Sequence, residues 1–296
     1  MKSSELESRE NASIKAKTLI ESLPWLQTFH GKIVVIKFGG NAMVDDALQL
    51  AFAQDMAYLR WVGIKPVVVH GGGPQISARL DELGIESEFR GGFRVTTEDS
   101  IGVIREVLRE RIGQPLAQQI RDAGADATVM SGEDGNLFRA TTNRSDASKD
   151  LDLGLVGEVT LVNPRIVLEA VEKGSVPVIS TVAPDTSGQL LNVNADLAAA
   201  ALAVALGAEK LLMLTDVAGL YSDWPNTDSL VSEITAAELQ TLLPDLESGM
   251  IPKMQACLTA VQGGVPKAHI IDGRTPHSIL LEIFTQSGFG TMVLPN

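Results

Sequence analysis

Two lysines, two glycine-rich strand ends and one aspartate are the residues of this chain whose types and spacing suit chemistry. Lys37 closes the β-branched run Ile33-Val34-Val35-Ile36 and is followed, after Phe38, by Gly39 and Gly40. Glycines let backbone amides approach an anion because no Cβ intervenes, and a lysine adds a compact point charge, so the stretch reads as a phosphate cradle. A second strand end, Pro66-Val67-Val68-Val69-His70-Gly71-Gly72-Gly73-Pro74, finishes in three glycines and a proline suited to the first turn of a helix. One helix length separates the two, which predicts adjacent strands in a parallel sheet. Lys253 follows the turn Glu247-Ser248-Gly249-Met250-Ile251-Pro252 at the start of a helix, where a cation is unfavourable unless something else holds it. Asp196 ends Asn192-Val193-Asn194-Ala195-Asp196 and leads into an alanine-rich helix that is apolar on all sides, hence buried. Polar groups at that edge need partners; the plainer alternative makes Asn194 an N-cap and Asp196 a first-turn charge.

This set contains no convincing nucleophile or general base. Nucleotide and dinucleotide fingerprints fail, because Gly31-Lys32 is followed by Ile33 and the Gly71–Gly73 run lacks a later glycine at position 76. The four histidines are scattered and no paired cysteines or His-Glu-x-x-His motif offers a zinc site, so no protein-bound metal is expected. Phosphoryl transfer to an acceptor that is already ionised needs neither base nor nucleophile from the protein, only positioning and neutralisation of the moving oxygens. A carboxylate acceptor fits.

The totals agree. With 296 residues, 45% hydrophobic and 21% charged, the chain is globular and long enough for one large core or two fused lobes. A net charge of −13 argues against a nucleic-acid or anionic-membrane surface, so an anionic substrate must be captured by a few local cations and amides. The single Cys257 fits a reducing compartment and reads as a small core residue. The polar start, Met1 to Asn11, is no secretory signal and no apolar run reaches membrane-spanning length, which leaves the cytoplasm as the expected location.

The elements that must position these residues alternate. Apolar spacing predicts a helix over Ser13 to Phe29 interrupted at Pro24, folded on its own body or packed on another subunit. Helices follow over Val44 to Trp61 and Ile76 to Leu83, then a hairpin-like Phe89 to Thr96 with Thr97 as cap of the next helix. Arg94 lies there between Phe93 and Val95, an odd place for a solvated arginine; a structural ion pair is the alternative. That helix runs from Asp99 to about Asp122, broken near Gly113 and Pro115, and is followed by a strand at Ala127 to Met130 and a turn at Ser131 to Asn136. A polar loop or hairpin is expected over Thr141 to Asp152. Val156 to Val162, Pro164 to Glu172 and Val176 to Ser180 continue the β-α-β alternation. Leu197 to Leu206 (helix), Lys210 to Leu214 (strand), Thr235 to Leu243 (helix), a helix reaching Val261, Ala268 to Ile271 (strand), Pro276 to Phe284 (helix) and Thr291 to Leu294 (strand) complete it. The pattern predicts an open three-layer αβα sandwich with a mostly parallel central sheet and an extra N-terminal helix.

In this order the motifs resemble the amino-acid kinase superfamily, and within it the N-acetylglutamate kinases. The carriers are Ile36-Lys37-Phe38-Gly39-Gly40-Asn41-Ala42, Val69-His70-Gly71-Gly72-Gly73-Pro74, Phe93-Arg94-Val95-Thr96, Asn192 to Asp196, Thr215-Asp216-Val217-Ala218-Gly219 and Gly249 to Lys253, and the resemblance spans about Leu19 to Val293. It implies transfer of the γ-phosphoryl group of ATP, carried with Mg²⁺ on its phosphates, to the γ-carboxylate of N-acetyl-L-glutamate in arginine biosynthesis. Lys37 and Lys253 would stabilise the phosphoryl group, Asp196 would hold both lysines, and Gly40, Gly72 and Gly73 would donate amides. Arg94 and Asn192 would bind the acceptor; Thr215, Asp216 and Gly219 would line the nucleotide site, although Asp216 also reads as an ordinary turn residue. The implied division is an N-terminal interlacing helix at 1–30 and a kinase domain at 31–296, with an acceptor lobe at about 31–190 and a nucleotide lobe at about 191–296.

The N-terminal helix and the tail from Ala268 to Thr291 further resemble the arginine-inhibited form, in which such helices join dimers into a hexameric ring, a trimer of dimers. By that resemblance Glu282 meets the guanidinium of L-arginine, with Lys210, His269 and Gly288 around it; a solvated Glu282 is the alternative. A PII-type signalling partner occurs in some relatives and has no support in this sequence. The rivals are a kinase for another amino-acid carboxylate and a catalytically inactive arginine-sensing oligomer of the same fold.

Overall fold

The computed structural model describes residues 2–142, 151–247, 249–285 and 288–296. The polar loop expected over Thr141 to Asp152 falls largely outside them, as does Ser248 of the turn before Lys253. In chain order the elements are α1 (Lys2–Glu21), α2 (Leu23–Phe29), β1 (Ile33–Phe38), α3 (Asp46–Trp61), β2 (Lys65–His70), α4 (Gly73–Glu82), β3 (Phe89–Arg90), β4 (Phe93–Arg94), α5 (Glu98–Glu106) and α6 (Gln114–Asp122). There follow β5 (Ala127–Ser131), β6 (Phe138–Thr141), β7 (Val156–Val162), α7 (Arg165–Glu172), β8 (Val176–Ser180), β9 (Val182–Pro184), β10 (Leu190–Val193) and α8 (Ala195–Ala205). The last part holds β11 (Lys210–Thr215), β12 (Leu220–Tyr221), β13 (Leu230–Val231), β14 (Glu233–Thr235), α9 (Ala236–Leu242), α10 (Ile251–Gln262), β15 (Ala268–Asp272), α11 (Ser278–Phe284) and β16 (Thr291–Leu294).

The main sheet has eight strands in the order β14-β16-β15-β11-β1-β2-β8-β5. All pairings are parallel except β15 with β16. The two glycine-ended strands are neighbours, in register from Ile33 opposite Lys65 to Phe38 opposite His70, as the spacing predicts. Alternate residues of β1, β2 and β11 feed opposite cores. Val35, Val67, Val69, Leu211 and Met213 pack with α8 and α10, whereas Val34, Ile36, Val68 and Leu212 pack with α3 and α6. Both faces are covered, which is why these strands are continuous apolar runs.

Local chemistry sets the helix starts. The Asp45 side chain accepts from Leu48 N at 2.9 Å, Thr97 and Ser100 form a reciprocal capping pair, and Asn194 Oδ1 accepts from Asp196 N at 2.8 Å and Leu197 N at 3.2 Å. In α8, Ala198, Ala199, Ala200 and Ala203 are fully buried and face an equally small-residued α10, with Ala256 and Ala260 also inaccessible. Small side chains let these two helices and the sheet approach closely, which fixes the distance between Asp196 on one helix and Lys253 on the other.

Three features depart from the sequence expectations. The chain does not break at Gly113 and Pro115; a π-helical stretch, Val107–Gly113, joins α5 to α6, with Gln114 N bonded to Arg109 O. Proline has no N–H for the usual carbonyl four residues back, and the wider turn accommodates that loss. Val156–Val162 is a strand but leaves the main sheet, joining a second sheet ordered β6-β7-β10-β9. Its Glu158 and Thr160 interrupt the apolar pattern that a fully covered strand requires. The N-terminal helix is interrupted near Pro24 as expected, into two helices parted at Ser22, but it begins at Lys2 and not at Ser13, and Ile14, Leu19, Ile20 and Leu23 are exposed. Among the described residues no helix is long and apolar enough to cross a membrane.

One buried acid ties the N-terminal half to the C-terminal segment: Asp55 of α3 lies 2.6 Å from His277 Nδ1 at the start of α11. Burial pushes the Asp55 carboxyl up to about 6, although the His277 contact pulls it down. A carboxyl raised in the folded state contributes stability that is present below its ordinary range and is lost as pH rises through about 6. Asp55→Asn keeps an acceptor for His277 without the buried charge. Its melting temperature relative to the parent chain therefore climbs between pH 4 and 8, and a pH-independent difference in calorimetry would contradict this account.

Candidate active site

The ends of β1 and β2, the start of α4, the β3–β4 hairpin and the start of α8 enclose a cleft of about 380 Å³. Lys37, Gly40, Gly72, Gly73, Arg94, Asn192, Asp196 and Asp216 all line it, so eight of the residues singled out from sequence meet in one place. At its floor Asp196 is clasped between two ammonium groups. Lys37 Nζ lies 2.8 Å from Oδ1 and Lys253 Nζ 3.1 Å from Oδ2. The lysines come from a strand and from a helix far along the chain, and both readings of Asn192 to Asp196 hold at once: Asn194 caps α8, and Asp196 is an anchor as well as a first-turn charge.

Burial alone would raise the Asp196 carboxyl, but the Lys37 and Lys253 charges outweigh it and hold the group ionised well below the usual carboxylate range. Burial lowers Lys37 in spite of Asp196, whereas the more open Lys253 is raised by Asp196. The triad carries two positive charges and one negative. Asp216, at the end of β11, acts electrostatically on both lysines from the opposite wall. Gly40 makes room for it: its φ is +73°, and a Cβ there would stand 2.7 Å from the Asp216 carboxylate oxygens.

His70 does not reach into the cleft as a catalyst. It is fully buried, its Nδ1 is 3.0 Å from Gly71 O, and burial lowers its pKa to about 4. The ring is thus a neutral donor that orients the carbonyl preceding the Gly72 and Gly73 amides. Asn192 Nδ2 donates to Thr96 Oγ1 at 3.1 Å. Arg94 is buried, and no carboxylate lies within salt-bridge distance of it among the described residues, so the alternative of a structural ion pair does not hold. Cys257 is buried one turn after Lys253, with its thiol pushed up by burial, which suits a core residue.

A second cleft, of about 360 Å³, begins in sequence where the first ends, Asp216 lining the first and Val217 the second; Val217, Gly219, Tyr221, Trp224, Leu246 and Met250 line it. Gly219 belongs here. Thr215 is buried at the strand end, where its carbonyl accepts from Gly273 N at 2.8 Å, and it lines neither cleft. Sequence reasoning missed Tyr221, Trp224 and the Phe89 ring; the available signal was an aromatic residue close to a glycine motif, Phe89 before Gly91 and Tyr221 after Gly219, whereas Trp224 carried none.

A third cavity, about 360 Å³, lies across β11 and β15 and is lined by Lys210, His269, Glu282, Gly288 and Trp25 of α2. Glu282 is not solvated. Its Oε1 is 3.0 Å from Lys210 Nζ and 2.6 Å from His269 Nδ1, and its Oε2 accepts from Phe289 N at 2.8 Å. Burial opposes that charge, yet these contacts bring Glu282 down to about 2. Burial lowers His269 although Glu282 pulls it up, and its Nε2 has no partner among the described residues.

The parallel sheet with glycine-lined strand ends and a paired-lysine floor defines a class. A model of the amino acid kinase family matches residues 32–272, and the chain belongs to that family and, within it, to the acetylglutamate kinases. It is 62% identical over 290 residues to the acetylglutamate kinase of Leifsonia xyli subsp. xyli, covering 97% of this chain and 96% of the relative. It is a kinase, a phosphotransferase with a carboxyl group as acceptor. Among solved structures, N-acetylglutamate synthase from Neisseria gonorrhoeae with coenzyme A and N-acetyl-glutamate bound superposes with a TM-score of 0.82 at 23% identity over 95% of this chain; this chain spans 63% of that one. Carbamate kinase from Giardia lamblia bound to AMP-PNP gives 0.67 at 19% identity, covering 90% of this chain and 99% of that one. Both are likenesses of fold.

The left-handed φ of Gly40 predicts that Gly40→Ala costs stability as well as cleft geometry. A side chain in that region costs about 1–2 kcal/mol before any movement of Asp216. A urea midpoint equal to that of the parent chain would show that the segment relaxes freely.

Proposed function

We propose that this chain phosphorylates the γ-carboxylate of N-acetyl-L-glutamate with ATP, giving N-acetyl-L-glutamyl 5-phosphate and ADP in arginine biosynthesis. The observation that supports it most is the convergence of Lys37 and Lys253 on Asp196 beside the glycine amides. The acceptor is already an anion, so its oxygen attacks the γ-phosphorus without a base. The bond to the ADP oxygen breaks as the new O–P bond forms, and negative charge spreads over the transferring oxygens. Lys37 and Lys253 neutralise that charge, Asp196 keeps both ammonium groups in place, and the Gly40, Gly72 and Gly73 amides donate to the reactants. Arg94 takes the α-carboxylate of the acceptor and Asn192 its acetamido end. The nucleotide lies in the second cleft near Asp216 and Gly219, with Thr215 behind it, and Mg²⁺ enters bound to its phosphates. Among the described residues no group of three or more acidic, histidine or cysteine side chains is close enough to hold a metal ion by itself. The lobes divide accordingly, the acceptor in about 31–190 and ATP in about 191–296.

The third cavity is the site we assign to L-arginine as feedback inhibitor, with Glu282 facing the guanidinium and Lys210, His269 and Gly288 around it. Trp25 places α2 beside that site. The exposed Ile14, Leu19, Ile20 and Leu23 suit packing of residues 1–30 against another subunit, and the assembly we propose is a hexamer built as a trimer of dimers. The rival reading, an arginine sensor without catalysis, leaves the intact Lys37–Asp196–Lys253 cluster without a purpose.

Hydroxylamine trapping of the acyl phosphate separates the two readings: N-acetylglutamate-dependent hydroxamate is expected, and none with any amino-acid acceptor would leave the sensor. Lys37→Ala and Lys253→Ala each lower turnover by about 10²–10³ while the fold persists, in line with the loss of one preorganised donor to a transition state; parent-like turnover would remove their assigned role. Glu282→Gln raises the arginine concentration for half-inhibition at least about tenfold, the loss of one charge-assisted pair. Undiminished inhibition would place arginine elsewhere.

A further inference from the structure

Three lysine or arginine side chains are buried among the described residues: Lys37, Lys210 and Arg94. Lys37 faces Asp196 and Lys210 faces Glu282. Arg94 has no such counter-ion. Its guanidinium is held by neutral groups alone: Nη1 donates to Ser87 Oγ, and Nη2 donates to Ser77 Oγ at 2.8 Å and to Gly73 O at 2.9 Å. The Phe89 ring lies against its face, 4.5 Å from centroid to guanidinium carbon. Burial weighs against the charge, and Asp81, beyond contact distance, offsets part of that.

The contacts follow from local structure. Gly73 and Ser77 are four residues apart on α4 and share one helix face. Ser87 follows that helix in the loop leading to β3, and Phe89 and Arg94 are directly opposite in the β3–β4 pairing, which sets the stack. Three hydrogen bonds commit three of the five N–H donors that a guanidinium carries, leaving two for a ligand. A buried, uncompensated cation is costly unless an anion arrives to pair with it.

We propose that Ser77, Ser87 and Phe89 are positioning residues that determine acceptor specificity: they orient Arg94 through uncharged contacts, so that its full charge is reserved for the carboxylate of the acceptor. This rests on the reading that Arg94 binds the acceptor. The uncharged cradle has a second consequence. A carboxylate at any of these positions would pair permanently with Arg94, and the acceptor would then have to displace an internal anion.

Ser77→Asp and Ser77→Asn, which are close in size and differ by one charge, test this in steady-state kinetics. The expected result is an acceptor KM raised at least about 100-fold by Asp and about tenfold or less by Asn, with the KM for ATP held within about twofold in both, since a charge-assisted pair is worth well over one neutral hydrogen bond. Equal effects of the two substitutions would overturn the proposal. Phe89→Leu, which changes no polar group, supplies a second reading if the aspartate variant fails to fold: the acceptor KM rises several-fold with kcat nearly unchanged, and an unchanged KM counts against the cradle. Arg94→Ala keeps the two failures apart. If it leaves the acceptor KM unaltered, the assignment of Arg94 to the acceptor is wrong; if it raises that KM while Asp and Asn at position 77 behave alike, only the cradle is wrong.

Discussion

A single carboxylate shared by two ammonium groups is the constraint on which this structure depends. Asp196 is buried, and a lone ion there would be expensive. Lys37 and Lys253 meet that need from different parts of the chain, and in doing so they are themselves brought to one point. Two like charges would otherwise repel across so short a gap. The aspartate therefore acts as a spacer: it makes convergence of two cations tolerable while leaving one positive charge more than it cancels. In a chain of net charge −13, that local excess gives the cleft a positive charge opposite in sign to the molecule as a whole.

Everything around the triad serves to keep its members on rigid elements. Lys37 ends a central strand flanked by β2 and β11, and its register is set by a ladder on both sides. Asp196 sits in the first turn of α8, whose entry is fixed by the Asn194 cap, and Lys253 in the first turn of α10. The alanine-faced contact between those helices leaves little latitude in their separation, because small side chains interlock at short range with few alternative rotamers. The glycines then permit the opposite requirement, a backbone that approaches closely enough to donate amides without a side chain in the way.

Legibility in the sequence followed the same division. The central strands, their parallel pairing and the glycine ends were readable because burial on both faces demands unbroken apolar runs, and no other environment tolerates them. The chemistry-bearing residues were readable as types in odd places: a lysine at a helix start, an arginine between apolar neighbours, an aspartate entering an apolar helix. What was not readable is what depends on long-range pairing. The second sheet escaped notice because β6, β9 and β10 are only three or four residues long, and because β7, although legible as a strand, carries no local mark of which sheet it joins. The π-helical stretch was hidden because Gly113 and Pro115 signal a break locally, whereas packing of Leu108, Ile112 and Leu116 into the core keeps the chain helical. Thr215 is a motif residue of the opposite kind, one that supports a strand end and lines neither cleft.

The buried cations also sort by what accompanies them. Lys37 shares a carboxylate with a second lysine, Lys210 shares one with a histidine and a backbone amide, and Arg94 has only hydroxyls, a carbonyl and an aromatic face. A cation held by a carboxylate is electrostatically settled before any ligand comes, so it contributes through geometry and through whatever charge the cluster leaves over. A cation held by neutral dipoles is oriented without being satisfied, and the free energy of completing its shell remains available to a ligand. Among the described buried cations Arg94 is therefore the one left to recognise an external anion, and it lines the same cleft as Lys37 and Asp196. On the reading proposed above, an acceptor whose first carboxylate is held at Arg94 would turn its distal one towards the lysine pair.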